Sequence, residues 1–230
     1  MANADVVERG DGPLLRTLGR VLTGVREAED PVPTFAKRWR QQNEVALAAG
    51  EPVWVALGDS LTQGIGASSF DETFVRQLQR RLAEAGRPTA VVNLSVSGAR
   101  IEDVISKQIP QIASLHEAPA IVTCTVGNND LLKTFRVKQT TRALAELFEA
   151  LPANTAVATL PATGSVVASY INRSIRDQAP RRGHRVADVM AHSSGWRSRI
   201  ARDGFHPNDA GYQVWTSAFS ETLIDTPISA

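Results

Sequence analysis

The chain has 230 residues, of which 43% are hydrophobic and 21% charged, as in an ordinary globular domain with a sizeable core. Its 25 basic and 24 acidic side chains give a formal charge of +1, which offers no attraction for nucleic acid or an anionic membrane. A single cysteine, Cys124, excludes an intrachain disulfide and favours a reducing compartment. The first residues lack the apolar stretch of a secretory signal, and no segment approaches the ~18 apolar residues of a membrane span. We therefore expect a cytoplasmic protein with no membrane span and no nucleic-acid partner.

Residues 1–50 differ in pattern from the rest of the chain, and we expect them to form an N-terminal helical extension before one domain over residues 51–230. Apolar residues recur at helical spacing over 14–25, Pro31 and Pro33 interrupt the pattern, and a second helix is predicted over 34–49. Acidic and basic residues balance over this stretch. Packing of the extension on the domain is therefore favoured over a membrane-surface or partner-binding arm.

From Val53 onward, short apolar runs alternate with amphipathic segments, which is the pattern of a parallel sheet covered by helices. Five strands are predicted, over 53–57, 90–94, 120–126, 156–160 and 185–189. Helices are predicted over 70–85, 101–115, 137–151, 166–179 and 208–223. Because crossovers between parallel strands are right-handed, we expect an α/β fold, a three-layer α/β/α sandwich around a flavodoxin-like five-stranded parallel sheet.

A serine follows the first predicted strand, in the segment Gly58-Asp59-Ser60-Leu61-Thr62-Gln63-Gly64. Catalytic groups in open α/β sheets gather at the carboxyl ends of the strands, which is where this segment should lie. A serine hydroxyl is a weak nucleophile until a positioned base removes its proton. A nucleophilic Ser60 therefore needs a histidine from elsewhere in the chain.

Among the four histidines, His206 is the candidate base. It follows Asp203 by three residues, just before the last predicted helix, and the intervening glycine lets the carboxylate fold back to orient the imidazole ring. We expect His116, His184 and His192 to be surface residues. On its own, this Asp-x-x-His pattern also fits a helix-cap network or half of a metal site.

Acyl transfer also requires hydrogen-bond donors for the oxyanion that develops on the substrate. Gly98 follows the second predicted strand and Asn129 follows the third, at the same sheet edge as Ser60. The candidate donors are the backbone N–H groups of Ser60 and Gly98 and the side-chain amide of Asn129. Removal of one such donor is expected to lower kcat by ~10²–10³. Taken singly, Gly98 fits a turn residue and Asn129 an Asx-turn acceptor equally well.

Together, these segments resemble the SGNH/GDSL hydrolase family. Gly-Asp-Ser-Leu at 58–61, Gly98, Gly-x-Asn-Asp at 127–130 and Asp-x-x-His at 203–206 match the four blocks of that family in order. The likeness covers residues 53 to about 223 and excludes the first 50. It implies a serine esterase that uses Ser60 as nucleophile, His206 as base and Asp203 as its orienter. It also implies an oxyanion hole formed by Ser60, Gly98 and Asn129, and it implies no cofactor and no metal.

The resemblance leaves the ester substrate open, because related enzymes include lipases, thioesterases, carbohydrate deacetylases and arylesterases. The candidate pocket walls are the stretches 64–69, 131–136 and 191–202. The last holds three arginines, which suit recognition of a carboxylate or phosphate but fit a solvated face better. No predicted loop is long enough for a lipase lid, so we expect small or short-chain acyl esters.

Three other classes of function stay open at this point. An acyltransferase would use the same triad and pass the acyl group to an alcohol. A binding module would keep the fold without the chemistry, and a metal hydrolase would use Asp203 and His206 as ligands. Within the esterase class, carbohydrate deacetylase, thioesterase and lysophospholipase specificities are the alternatives.

Overall fold

A computed structural model describes residues 31–133, 137–161 and 165–225 of the chain. The helix predicted over 14–25 lies outside these residues. Five strands form one sheet in the order β2-β1-β3-β4-β5, and every neighbouring pair is parallel. The strands are β1 Val53–Gly58, β2 Ala90–Asn93, β3 Ile121–Thr125, β4 Ala156–Ala158 and β5 Arg185–Ala187. The predicted fold class, an α/β sandwich around a five-stranded parallel sheet, is confirmed.

Helices lie on both faces of this sheet. They are α1 Pro31–Ala48, α2 Ser60–Gln63, α3 Phe74–Glu84, α4 Ile101–Asp103, α5 Ile109–Ile112, α6 Asn128–Lys133, α7 Val137–Ala150, α8 Val166–Arg181, α9 Val189–His192 and α10 Asp209–Ser220. Short 3₁₀ turns form at Phe70–Glu72 and Trp196–Arg199, and π-helical turns at Val104–Gln108 and Glu221–Asp225.

The segment predicted as helical over 101–115 is helical over 101–112, with a π-helical turn at Val104–Gln108 between α4 and α5. Ile109 donates its N–H to the carbonyl of Val104, five residues back. Pro110 follows and has no N–H to donate, so a regular α-helical ladder is interrupted at this place. The irregular turn brings Gln108 to the centre of the fold, where it is 1% exposed.

Four strands end earlier than the apolar runs that predicted them. β4 shows the reason: Asn172 of α8 donates to Leu160 O at 2.8 Å and accepts from Leu160 N at 2.7 Å. The backbone of Leu160 therefore bonds to a side chain where the ladder would otherwise continue. The apolar side chains beyond the strand ends stay buried, which is why their pattern extends past the hydrogen-bonded strands.

The two faces of the sheet carry separate buried clusters. Along β1, Trp54 and Ala56 point into the cluster beneath α1, α3 and α10, whereas Val55 and Leu57 point into the one beneath α4, α7 and α8. Because β1 is covered on both faces, its sequence is continuously apolar. Both clusters therefore pack against β1, the strand that ends at Gly58, two residues before Ser60.

The described part of the N-terminal extension packs on the domain at the β2 edge of the sheet. α1 buries Phe35, Trp39, Asn43 and Ala46 along one face. The division of the chain at residue 50 stays a prediction. Among the described residues, no helix combines the length and apolarity needed to cross a bilayer.

Candidate active site

The turn after β1 places Ser60 at the carboxyl edge of the sheet. Gly58 ends the strand with φ +149°, and a Cβ there would lie 2.3 Å from both Thr125 O and Thr62 Oγ1, so only glycine fits. Asp59 is the N-cap of α2, and its Oδ1 accepts from Leu61 N at 3.0 Å. Ser60 is the first residue of that short helix and is 5% exposed.

A glutamine outside the predicted set also holds this turn. Gly58 N donates to Gln108 Oε1 at 2.8 Å, and Gln108 Nε2 donates to Gly58 O at the same distance. A polar residue on the apolar side of the predicted 101–115 helix was the signal in the sequence. Its partner lies 50 positions away, so no local pattern identifies it.

The loop before α10 brings His206 to Ser60. His206 Nε2 lies 2.9 Å from Ser60 Oγ, and His206 Nδ1 lies 2.7 Å from Asp203 Oδ2. The second oxygen of Asp203, Oδ1, accepts from the backbone N–H groups of Phe205 at 2.8 Å and of His206 at 2.9 Å. With Nδ1–H donating to the carboxylate, Nε2 is left to accept the proton of the Ser60 hydroxyl.

Asp203 stays ionised in this setting. Burial is the largest influence and opposes ionisation, but the hydrogen bonds from His206 and from the Phe205 backbone outweigh it, so the pKa of Asp203 lies below its ordinary value. The Asp203 side chain is only 4% exposed, which keeps water away from the bond to the imidazole. The carboxylate is therefore a fixed acceptor for Nδ1–H at neutral pH.

The stretch 64–69, which the sequence marked as a possible pocket wall, joins Ser60 to the histidine loop. Gly66 has φ +99°, and a Cβ there would lie 2.8 Å from His206 Cβ, so the backbone packs directly behind the histidine. Tyr212 donates its hydroxyl to Ile65 O at 2.7 Å. Ser68 donates through N and Oγ to the Asp209 carboxylate at 2.8 and 2.6 Å.

The predicted oxyanion donors lie around the same turn. Asn129, in the first turn of α6, donates through Nδ2 to Ala99 O at 2.9 Å and makes a longer contact of 3.3 Å to Asp59 Oδ2. Val96 N donates to Gly58 O at 3.2 Å, which draws the segment after β2 against the serine turn. Gly98 lies in that segment, at an exposed position with φ +77°.

Asp59 is an unusual neighbour for Ser60 because it is a buried acid. Burial raises its pKa to about 7, the Leu61 N–H lowers it, and the nearby Asp130 carboxylate raises it further. The pKa of Asp130 is itself raised by burial, against hydrogen bonding from Ile101. The turn therefore carries a carboxyl group that changes charge near neutral pH.

The remaining histidines take no part in this arrangement, but one of them was predicted wrongly. His184 is buried, not on the surface, with Nε2 2.6 Å from Phe148 O. The short connection from α8 to β5 places it under α7, where the ring hydrogen-bonds to a buried carbonyl. His192 is partly exposed beside Glu221 at 3.0 Å, and His116 is exposed.

A cleft of about 480 Å³ adjoins the histidine loop. It is lined by Gly66, Ala67, Ser68, Ile200, Ala201, Arg202, Asp203, Asn208 and Asp209. Arg202 is thus at a cleft, whereas Arg199 donates to His192 O at 3.0 Å. Residues 134–136 of the other predicted wall lie outside the described residues.

Comparison with known proteins gives partial matches to two curated relatives. The chain is 29% identical over 86 residues to the spore germination lipase LipC of Bacillus licheniformis, which covers 36% of this chain and 41% of LipC. It is 31% identical over 93 residues to the esterase TesA of Pseudomonas aeruginosa, covering 40% and 45% of the two chains. The matched region spans less than half the length of either relative.

Solved structures share the fold over most of their length. The crystal structure of TesA superposes with a TM-score of 0.64 at 24% identity, over 74% of this chain and 97% of that chain. The psychrotrophic esterase EstA from Pseudoalteromonas gives a TM-score of 0.61 at 20% identity, over 75% and 97%. The profile of the GDSL-like lipase/acylhydrolase family matches residues 56–214, which include all four motif blocks. Since that match extends over more than half of the chain, the protein belongs to the GDSL-like lipase/acylhydrolase family.

Proposed function

We propose that this protein is a serine esterase that hydrolyses small or short-chain acyl esters through an acyl-enzyme intermediate. The observation that carries this proposal is the hydrogen-bonded chain from Asp203 through His206 to Ser60, with links of 2.7 and 2.9 Å. Such a chain activates a hydroxyl by giving it an oriented base. Membership of a lipase and acylhydrolase family supports an ester as the substrate.

The proposed reaction has two steps. Ser60 Oγ attacks the ester carbonyl carbon while His206 Nε2 takes the hydroxyl proton, and His206 then returns that proton to the departing alcohol. Water attacks the acyl-Ser60 carbonyl with His206 again as base, which releases the carboxylic acid and restores the serine. Asp203 stays ionised throughout and stabilises the imidazolium that forms in each step.

The oxyanion of each step is assigned to the N–H groups of Ser60 and Gly98 and to the Asn129 amide. The Ser60 N–H lies at the start of α2, where no intrahelical acceptor exists for it. The bond from Asn129 Nδ2 to Ala99 O fixes the amide, and the longer contact to Asp59 is the one that an oxyanion would replace. Donors fixed in this way need little reorganisation during the reaction.

The surroundings of the histidine favour a small acyl ester with an apolar part. Phe205 is 45% exposed and packs edge-on against the His206 ring, with centroids 4.8 Å apart. It offers an apolar surface beside the base, while Ser60 and His206 are themselves buried. A cytoplasmic location stays a prediction and accords with the buried free thiol of Cys124.

The test is Ser60→Ala assayed against p-nitrophenyl esters from acetate to palmitate. We expect the wild type to prefer the shortest chains, and the variant to lose ~10⁴ or more in kcat. A fluorophosphonate should label the wild type at Ser60 and leave the variant unlabelled. Undiminished hydrolysis by the variant would remove Ser60 as the nucleophile.

Further assays separate the other classes of function. All hydrogen-bonding positions of Asp203 that the structure shows are directed at the histidine loop, which favours the triad over a metal-ligand role. Retention of activity after EDTA treatment would agree with this assignment. Competing alcohols distinguish a transferase from a hydrolase, and a screen of acetylated sugars tests deacetylase specificity.

A further inference from the structure

The helix α1 lies outside the family match, which begins at residue 56, yet its side chains reach the turn that carries Ser60. Trp39, 1% exposed, packs its ring against Phe70 with centroids 4.5 Å apart. Its indole Nε1 donates to Gln63 O at 3.0 Å. Gln63 is the last residue of α2 and Ser60 is the first, so one side chain links α1 to the far end of the serine helix.

A second side chain of α1 acts through the edge strand β2. Asn43 Nδ2 donates to Asn93 O at 2.9 Å, and Asn93 N donates to Asn43 Oδ1 at 2.8 Å. The Asn43 amide thus takes the place of a neighbouring strand on the open side of β2. The side chain of Asn93 in turn donates through Nδ2 to Thr62 O at 3.0 Å, one residue before the end of α2.

The bonds from Trp39 to Gln63 O and from Asn93 to Thr62 O complete the hydrogen bonding of the α2 carbonyls. The carbonyls of Ser60 and Leu61 accept from Gly64 N, at 3.0 and 3.2 Å. A four-residue helix has no further N–H groups of its own for its last two carbonyls, and both are buried here. Asn93 serves the carbonyl of Thr62 and Trp39 that of Gln63, which leaves the helix with one defined position.

We propose that α1 is a positioning element for Ser60, with Trp39 acting directly through Gln63 and Asn43 acting through Asn93. Neither residue touches the reacting atoms. Both hold the short helix whose first residue presents its hydroxyl to His206. The inference rests on the proposed role of Ser60 as nucleophile, and it extends the catalytic unit to a segment that the family match does not include.

Three tryptophan variants of the full chain test this proposal. Trp39→Phe removes the bond to Gln63 O. Trp54→Phe removes an equally buried bond to Thr123 Oγ1 at 3.0 Å, within the sheet and away from α2. Trp215→Phe removes an Nε1–H that has no partner in the described part of the chain. The three changes are chemically identical and differ in what the lost N–H contacted.

We expect Trp39→Phe alone to lower kcat, by about tenfold with KM nearly unchanged, because a small displacement of a nucleophile is costly. The rate of fluorophosphonate labelling at Ser60 should fall by a similar factor. Trp54→Phe and Trp215→Phe should keep both rates within about twofold at a temperature where all variants are folded. Equal labelling rates in Trp39→Phe and Trp54→Phe would overturn the positioning role.

Hydrogen exchange gives a readout that does not depend on catalysis. In Trp39→Phe, the amides of Gly64 and Ile65, which bond to Ser60 O, should exchange faster than in Trp54→Phe. If Trp39→Phe does not fold, Asn43→Ala should show the same faster exchange and a several-fold lower kcat. A wild type that is neither labelled nor active would count against the proposed function. Unchanged exchange in the α1 variants would count against the positioning role.

Discussion

The two segments that supply the candidate triad are held in place in opposite ways. The serine turn, residues 58–65, is buried throughout and takes its bonds from distant elements. The histidine loop, residues 200–207, is half exposed and is shaped by its own atoms: Asp203 accepts two backbone N–H groups, and Ile200 pairs with Pro207 in an antiparallel bridge. The position of Ser60 therefore depends on contacts across the whole fold, whereas that of His206 depends largely on the eight residues of its own loop.

This difference has consequences for mutation. A change in the loop alters the base while leaving the core intact, so it should lower the rate more than the stability. A change around the serine turn removes bonds between elements, so it should lower both. Three substitutions probe this contrast.

The largest effect is expected from Asp203→Asn in the loop. The Asn amide can donate to Nδ1 and thereby favours the tautomer whose Nε2 carries the proton, so kcat should fall by ~10³–10⁴. The free energy of unfolding should change little, because Oδ1 can still accept from Phe205 and His206 backbone groups. Initial rates and urea unfolding measure the two quantities. Asp209→Asn, on the neighbouring helix, is the matched control, and a comparable loss of kcat in it would contradict the assignment.

Gln108→Leu should destabilise the serine turn by removing the side chain that bonds to Gly58. The change leaves the buried N–H of Gly58 unpaired and removes one donor from its carbonyl, at a cost of roughly 2–4 kcal/mol of unfolding free energy. Unlike the loop variant, it should lower stability and kcat together. Gln111→Leu, three residues further along, loses only a bond to Lys107 O and serves as control. Equal unfolding free energies in the two variants would show that the clamp on Gly58 is unimportant.

The smallest effect concerns the charge on Asp59. Its pKa of about 7 in the folded protein lies above the unfolded value, so the folded state binds more protons and stability falls as pH rises from about 4 to 7. Asn keeps the N-cap to Leu61 but has no charge. From pH 5 to pH 8, the free energy of unfolding of Asp59→Asn should rise by roughly 1–3 kcal/mol relative to that of the wild type.

Denaturant unfolding at both pH values measures this difference. The exposed Asp71, paired with Arg76, provides a control in Asp71→Asn, which should differ from wild type by the same amount at pH 5 and pH 8. A difference between Asp59→Asn and wild type that does not change with pH would mean that Asp59 is ionised throughout this range.

Much of the fold followed from local pattern. The apolar runs of β1 and β3 and the amphipathic helices between them predicted the parallel sheet, because burial on both faces imposes continuous apolar strands. The Ser60, Asp203 and His206 side chains lie together in the structure, and their catalytic roles stay proposals. Local pattern did not predict the π-helical turn within the segment that is helical as expected over 101–112.

Contacts between distant positions account for what the sequence did not show. Gln108 lies 50 positions from Gly58, and Trp39 lies 24 from Gln63. Helical periodicity does not predict which buried polar side chain will hydrogen-bond to which backbone group. The burial of His184 under Phe148, 36 positions away, escaped prediction for the same reason.

By itself, the sequence determined the order of strands and helices, the glycine-bounded serine turn and the Asp203-His206 loop. Those features arise from hydrophobic periodicity and from bonds between residues a few positions apart. Only the tertiary structure decided that Trp39 of α1 bonds to the last carbonyl of α2 and that Asp59 is buried beside Asn129. These arrangements depend on packing between elements, which places side chains from remote positions within hydrogen-bond distance and excludes the water that would otherwise satisfy them.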